Sequence, residues 1–312
     1  MGEPYAPRGL VADDRELGLT TSRVDTELGS VAVRHSPHRT SSIATLLLHG
    51  AAGSWTTWTP MLATAVAEGH PLGDIVAIDL PGWGDSPGPD IRSRLTLDAL
   101  ADTVWQVVRG ALGYERVDVV GHSLGGFIAL HLAATRPDCV TAVRLVSSTS
   151  FAILESIEHP LRRFGEVPAF TMLLGVFRVL RTFGDRASGP VLLARRLGLL
   201  RVLMSPLFRH PARMPQSVID ALADEVRPDT FVRAAEETRG YATSRLWPTV
   251  RCPVWAVRGA DDVFVPASDL ADLIVVIPGI VLTEVPDCGH FAHIERPVGT
   301  LAALGLLGES RP

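Results

Sequence analysis

The sequence predicts an α/β fold: a mostly parallel, doubly wound sheet that carries an inserted all-helical cap. Short apolar runs rich in β-branched residues alternate with longer segments of helical periodicity, the pattern of parallel strands covered by helices on both faces. This alternation stops between residues 151 and 245, where prolines interrupt helical segments and no convincing strand is found. A chain of 312 residues with 46% apolar content can bury the large core that such a fold requires.

Seven apolar runs predict strands, and their alternation with helical segments predicts two or more right-handed strand-helix-strand units. The strands are expected at residues 30–35, 43–49, 75–80, 117–121, 142–147, 254–258 and 281–285. Helices are expected near residues 57–68, 97–112, 124–135, 268–276 and 298–307.

The interruption predicts three parts: a first core segment at 1–150, a helical cap at 151–245, and a second core segment at 246–312 that supplies the later site residues. Residues 151–216 contain ten arginines and four acids, so this segment is basic although the whole chain carries a net charge of -5. A solvated amphipathic face explains this composition. A basic lid that favours anionic substrates or a lipid surface is the alternative.

A candidate nucleophile lies in Gly121-His122-Ser123-Leu124-Gly125, between a predicted strand and a predicted helix. In this context a G-x-S-x-G sequence indicates a strained turn, because small residues two positions before and after the serine let the strand and helix backbones approach closely. Ser123 is then exposed at a helix N-terminus, where negative charge is favoured. We therefore predict Ser123 as a catalytic nucleophile.

A serine nucleophile needs a base that is oriented by an acid. His290 follows the last predicted strand and is the predicted base. Asp261 and Asp262 both follow the strand at 254–258, and the spacing between Gly259 and Pro266 favours Asp262 as the acid. The order Ser123, Asp262, His290 is the order expected for a nucleophile of this type.

With these motifs, the chain resembles the α/β-hydrolase superfamily, particularly its capped esterase, epoxide-hydrolase and carbon-carbon hydrolase members. Leu48 to Trp55, Asp79 to Ser86, the turn around Ser123, and residues 259–266 and 289–297 carry the resemblance. It implies that backbone N–H groups of Ala51 and Leu124 form an oxyanion hole. Contacts with substrate are expected from His122, Trp55 and Trp83, with core packing as the alternative for the tryptophans.

The leading functional hypothesis is a serine hydrolase that cleaves a carboxylic ester, thioester or lactone with an apolar part through an acyl-enzyme. A carbon-carbon bond hydrolase, a lyase or a cofactor-free haloperoxidase-like enzyme could use the same triad, and a ligand-binding receptor on a hydrolase fold is the alternative from another class. We expect no metal or organic cofactor, a small apolar substrate and no nucleic acid partner. The composition and three scattered cysteines also predict a cytoplasmic protein without a membrane-spanning segment, and they leave its oligomeric state open.

Overall fold

A computed structural model describes residues 3–88, 95–149, 151–160, 165–184 and 189–308. Its centre is an eight-stranded sheet in the order β1-β2-β4-β3-β5-β6-β7-β8. The pairs β1–β2 and β2–β4 are antiparallel, and the strands from β4 across to β8 pair in parallel. The strands are β1 Thr20–Thr26, β2 Gly29–His35, β3 Ile43–Leu48, β4 Ile75–Ile78, β5 Arg116–His122, β6 Val140–Val146, β7 Val254–Gly259 and β8 Val281–Val285.

All seven predicted strands are present, and the predicted fold class is confirmed. The additional strand β1 was not predicted, because its sequence contains no apolar run. None of its side chains is fully buried, and it pairs only with β2 at the edge of the sheet. An edge strand with neither face fully buried lacks the periodic apolar signal by which the other strands are recognised.

Helices follow most strands and cover both faces of the sheet. The helix expected at 97–112 changes from α-helix to π-helix after Trp105, and a 3-10 helix at Trp55–Trp58 precedes α1. The α-helices of the described residues are α1 Thr59–Ala67, α2 Leu97–Trp105, α3 Leu124–Thr135, α4 Phe151–Glu158, α5 Pro168–Arg181, α6 Gly189–Arg196, α7 Leu200–Leu203, α8 Gln216–Asp224, α9 Pro228–Glu237, α10 Thr243–Leu246, α11 Ala267–Val276, α12 Ala292–Glu295 and α13 Pro297–Ala303.

The chain between β6 and β7 is helical wherever the structure describes regular elements in it. Its helix α5 packs on α9, and the rings of Phe177 and Phe231 meet edge to face with centroids 4.7 Å apart. Its apolar residues form two buried clusters that are distinct from the two clusters beside the sheet. An all-helical insertion is therefore present, whereas its treatment as a separate domain at 151–245 stays a prediction.

The described residues contain neither a membrane-spanning helix nor a cluster of metal-binding side chains. Among their helices, none has both the length and the apolar character needed to cross a membrane. They also contain no group of three or more His, Cys, Asp or Glu side chains placed to hold a metal ion.

Candidate active site

Ser123 occupies a strained turn between β5 and α3. Its φ of 50° and ψ of -116° lie outside the regions that non-glycine residues normally adopt. The turn brings backbones into close contact: a methyl group on Gly125 would lie 2.0 Å from the carbonyl oxygen of Leu48, and one on Gly121 would lie 2.4 Å from that of Gly125. Only glycine fits at both positions, which explains the spacing of the motif in physical terms.

Backbone hydrogen bonds hold this turn. The N–H of Ser123 donates to the carbonyl oxygen of Val146 on the neighbouring strand at 3.0 Å, and the N–H of Thr149 donates to the carbonyl oxygen of Ser123 at 3.1 Å. Leu124 is the first residue of α3, and N–H groups in the first turn of a helix have no partner within that helix. The partial positive charge of this helix end therefore lies beside the serine.

Asp262 and His290 meet at the carboxyl ends of β7 and β8. The Nδ1 of His290 lies 3.0 Å from Oδ2 and 3.2 Å from Oδ1 of Asp262. The same carboxylate accepts from the N–H groups of Phe264 at 2.8 Å and Val265 at 3.2 Å. In contrast, Asp261 points away, and its carboxylate lies 3.3 Å from Nε of Arg209.

The charge state of Asp262 decides which nitrogen of His290 carries the proton. Burial by itself raises the pKa of Asp262, but His290 and the N–H of Phe264 outweigh that effect and hold the pKa below its usual value. The carboxylate is therefore ionised at neutral pH and can only accept hydrogen bonds. Nδ1 of the neutral imidazole must then donate to it, so Nε2 keeps its lone pair and can accept a proton.

A loop after β3 lies next to Ser123, since a methyl group on Gly50 would lie 3.0 Å from Cβ of Ser123. His49 accepts from the N–H of Leu80 at its Nε2, so its Nδ1 donates to the carbonyl oxygen of Gly50 at 2.7 Å. The N–H of Gly53 donates to the same oxygen at 3.1 Å. In a trans peptide the N–H points opposite to the carbonyl, so these contacts direct the N–H of Ala51 away from His49.

A buried ion pair braces this loop. The carboxylate of Asp79 accepts from Arg34 at 2.5 Å and from the N–H groups of Trp55 and Asp85 at 2.8 and 3.0 Å. Asp79 is fully buried at the end of β4, where its carboxylate ties the loop after β3 to the loop after β4. The sequence between Asp79 and Ser86 is therefore structural, as a loop that supports the site from behind.

Trp55 and Trp83, for which contact with substrate was predicted, lie within the core. Both indoles are buried in the core clusters beside the sheet, and neither is among the described residues that line the cavity above Ser123. Apolar packing accounts for both, which was the alternative considered for tryptophans next to apolar runs. His122, in contrast, does line that cavity.

His122 supports the loop that carries His290. Its Nε2 lies 3.1 Å from the carbonyl oxygen of His290 and donates to it, and its ring contacts those of His290, Phe291 and His293. Burial, and then the neighbouring His293 and His290, hold the pKa of His122 well below its usual value. A neutral His122 therefore packs against the base without adding a competing charge.

His293 is a buried histidine without a polar partner. Its ring lies 4.5 Å from that of Trp58, and neither ring nitrogen has a hydrogen-bond partner in the described residues. Burial lowers its pKa to about 3. At a pH below the usual histidine pKa of 6.5, the unfolded chain binds a proton at this residue that the folded chain does not bind. The folded state therefore becomes less stable as the pH falls.

We expect His293→Phe to remove this pH dependence. One such histidine lowers the free energy of unfolding by about 1.4 kcal/mol for each pH unit below its usual pKa. Between pH 7.5 and pH 5, the free energy of unfolding of the variant should therefore rise by roughly 2 kcal/mol relative to that of the wild type. Urea unfolding at both pH values measures the difference. His38 is exposed, so His38→Phe is the matched control and should show the same pH dependence as the wild type. If the free energy of unfolding changed equally with pH in all three proteins, the low pKa of His293 would be contradicted.

Glu295 is a buried carboxylate that sequence reasoning missed. Its oxygens accept from the N–H groups of Gly289 at 2.9 Å, Phe291 at 3.1 Å and Arg209 at 2.9 Å, and from the hydroxyl of Tyr5 at 2.6 Å. Burial raises its pKa, and these donors offset part of that effect. The carboxylate thus holds the residues before and after His290 in place. It also links them to Arg209 of the insertion and to Tyr5 of the N-terminal segment. The signal available in the sequence was a carboxylate five residues after the predicted base.

Above Ser123 lies a cavity of about 640 Å³. Ser123, His290, Ala51 and Leu124 are at its floor with His122, and apolar side chains of the insertion form its walls. The walls include residues of α4, α5, α7 and α9, and among the described residues that line the cavity none carries a formal charge. The site can therefore take an apolar group of considerable size next to the serine.

Comparison with known proteins agrees with this architecture. Residues 45–304 match the model of a family described as the alpha/beta hydrolase family. A Klebsiella pneumoniae protein named "Putative carbamate hydrolase RutD" is 29% identical over 228 residues, which are 70% of this chain and 75% of that protein.

Solved structures show the same fold at low sequence identity. A hydrolase from Pseudomonas aeruginosa has a TM-score of 0.71 at 18% identity, over 93% of this chain and 99% of that one. An esterase from Thermogutta terrifontis has a TM-score of 0.67 at 19% identity, over 91% and 96%. With the family match extending from β3 to the end of α13, the chain belongs to the alpha/beta hydrolase family.

Proposed function

We propose that the protein is a serine hydrolase that cleaves a carboxylic ester, or a related acyl compound, with an apolar part. The observation that carries the proposal is that Ser123 and His290 line the same uncharged cavity. Ser123 lies in a strained turn, and His290 is hydrogen-bonded to Asp262. A nucleophile, a base with its lone pair free and two backbone donors are the groups that acyl transfer needs.

The chemistry follows from these groups. As Oγ of Ser123 bonds to the carbonyl carbon of the substrate, its proton passes to Nε2 of His290 and the carbonyl electron pair moves to the oxygen. The N–H groups of Ala51 and Leu124 stabilise that oxyanion, each by about 3 kcal/mol. Collapse of the intermediate expels the alcohol, which takes the proton from His290. Water then repeats the sequence, releases the acid and restores Ser123.

The cavity favours apolar acyl or alcohol groups over anionic ones. No arginine is among the described residues that line it, so the carboxylate of an anionic substrate would have no cationic partner there. This observation also weakens carbon-carbon hydrolysis of an anionic diketone, because the substrate carboxylate would then lie in an uncharged cavity. The arginines of the insertion that the structure describes lie outside the cavity wall.

The names of similar proteins suggest two substrate classes. The Thermogutta structure is that of an esterase, and the Klebsiella relative is named a carbamate hydrolase. Both reactions begin with attack on a carbonyl carbon, so the same residues serve either. The apolar walls favour the ester with a hydrocarbon acyl chain, and we take a carbamate as the second candidate on the basis of the relative's name.

A series of p-nitrophenyl esters tests the substrate class. Each methylene buried in an apolar site contributes about 0.8 kcal/mol, which corresponds to about fourfold in rate. We therefore expect kcat/KM to rise with acyl length and to favour octanoate over acetate by at least about 100-fold. A p-nitrophenyl N-butylcarbamate in the same panel compares the second candidate directly with the hexanoate ester, which has the same number of chain atoms beyond the carbonyl.

A cavity variant supplies the control. Ala235 lines the cavity on α9, and Ala235→Phe should lower turnover of octanoate far more than that of acetate, because only the long chain reaches the walls. Equal loss on both esters, or an optimum at acetate in the wild type, would contradict the role that we give to the apolar walls.

A further inference from the structure

Exposed apolar side chains are concentrated on one part of the insertion. Ten of the fifteen large apolar residues that are exposed in the described chain lie between residues 172 and 203. On α5 they follow helical spacing, and they continue on α6 and around α7. We call this the rim surface and define it by Met172, Val176, Val179, Leu197, Val202 and Leu203.

The rim surface is continuous with the cavity above Ser123. Met172, Val176 and Leu203 belong to both: each lines the cavity, and Met172 and Leu203 remain 61% and 64% exposed. Since Met172 and Val176 lie on α5 and Leu203 lies in α7, apolar side chains of two helices border the cavity where it meets solvent. A monomer seldom exposes so many large apolar residues together unless the surface binds something.

The stretch of chain that forms the rim surface is basic, although acids of α8 and α9 pair with Arg178, Arg181 and Arg195. The sequence between Pro168 and Met204 contains one acid, Asp185, which lies outside the described residues. The same stretch contains arginines, of which Arg196 is exposed and Arg201 bonds only to uncharged oxygens of the described chain. Apolar side chains bordered by arginine fit the boundary between acyl chains and anionic headgroups.

A second copy of the chain fits this surface less well. A symmetrical dimer places the same patch of both subunits face to face, so Arg196 and Arg201, for which the described residues supply no carboxylate partner, would lie near the same arginines of the second copy. Such a dimer would also close the opening of the cavity. A lipid surface has neither disadvantage, because anionic headgroups pair with arginine and acyl chains accept the apolar side chains.

We propose that the rim surface binds an anionic lipid surface and that the cavity opens toward that surface. The protein would lie on the lipid rather than across it. This proposal does not depend on the chemistry of Ser123, since it rests on exposure, charge and the position of the opening. For the basic segment at residues 151–216, the proposal adopts the interpretation of a lid that favours a lipid surface over that of a solvated amphipathic face.

Co-sedimentation with vesicles tests the proposal on full-length Ser123→Ala protein, which leaves the lipid intact. We expect binding to vesicles of phosphatidylcholine and phosphatidylglycerol in equal parts to exceed binding to pure phosphatidylcholine by at least about tenfold, and to weaken with salt. Leu197→Glu with Val202→Glu should reduce binding by a further factor of at least about ten. Arg196→Gln should reduce it by about fivefold.

Val275→Glu is the matched control, because Val275 is 78% exposed on α11, away from the rim surface. It should bind like its parent, and thermal melts should show that all variants fold. Absence of binding to either vesicle, or equal loss with Val275→Glu, would overturn the proposal. So would a wild-type dimer that the double substitution converts to a monomer, since a second copy would then be the occupant.

Discussion

Ser123→Ala should lower kcat on p-nitrophenyl butanoate by roughly 10⁵-fold or more while leaving the melting temperature close to that of the wild type. The substitution removes the only atom that can form the acyl-enzyme, and the strained turn remains, because alanine tolerates φ of 50° no worse than serine. Stopped assays with enough enzyme to detect the residual rate measure the effect.

Ser148→Ala is the matched control. Ser148 is also buried and follows the neighbouring strand β6, but it does not line the cavity among the described residues. Its variant should keep activity within a few fold of the wild type. Turnover by Ser123→Ala at the rate of the wild type would refute the acyl-enzyme. A carbon-carbon hydrolase, a lyase or a ligand-binding protein would then be the favoured alternatives.

Asp262→Asn should lower kcat by about 10⁴-fold with little change in KM. The amide is nearly the same size as the carboxylate, but its NH₂ can donate to His290 and so favour the tautomer whose Nε2 carries the proton. Nε2 then cannot accept the proton of Ser123. Steady-state kinetics on the butanoate ester separate kcat from KM.

The adjacent Asp261→Asn gives a sharp control. Asp261 pairs with Arg209 and its side chain is about one-third exposed, whereas that of Asp262 is fully buried. We expect activity within about threefold of the wild type, because an exposed ion pair contributes little. Equal loss in both variants, or greater loss at Asp261, would contradict the assignment of the acid.

The fold was predictable because its signals are local. Buried parallel strands give uninterrupted apolar runs, and the steric demands of the turn at Ser123 leave glycines at fixed positions. These signals identified seven strands and brought forward Ser123, Asp262 and His290, whose catalytic roles remain predictions. The edge strand β1 lacks such a signal because neither of its faces is buried.

Contacts between distant segments were not predictable. The sequence around Trp83 does not distinguish a tryptophan that faces substrate from one in the core. Only the packing of the sheet shows that Trp83 is in the core. The support that Glu295 gives to His290 requires Tyr5 and Arg209 to meet it from opposite parts of the chain. The rim surface likewise depends on which side of α5 faces outward.

The mass of the protein after treatment with a fluorophosphonate tests directly whether Ser123 is a nucleophile. Nucleophilic attack by Oγ of Ser123 displaces fluoride and leaves one phosphonyl group attached. We predict one adduct per chain on a peptide that contains Ser123, much slower labelling of Asp262→Asn, and none of Ser123→Ala. An unlabelled wild type, or an adduct that persists in Ser123→Ala, would contradict the account.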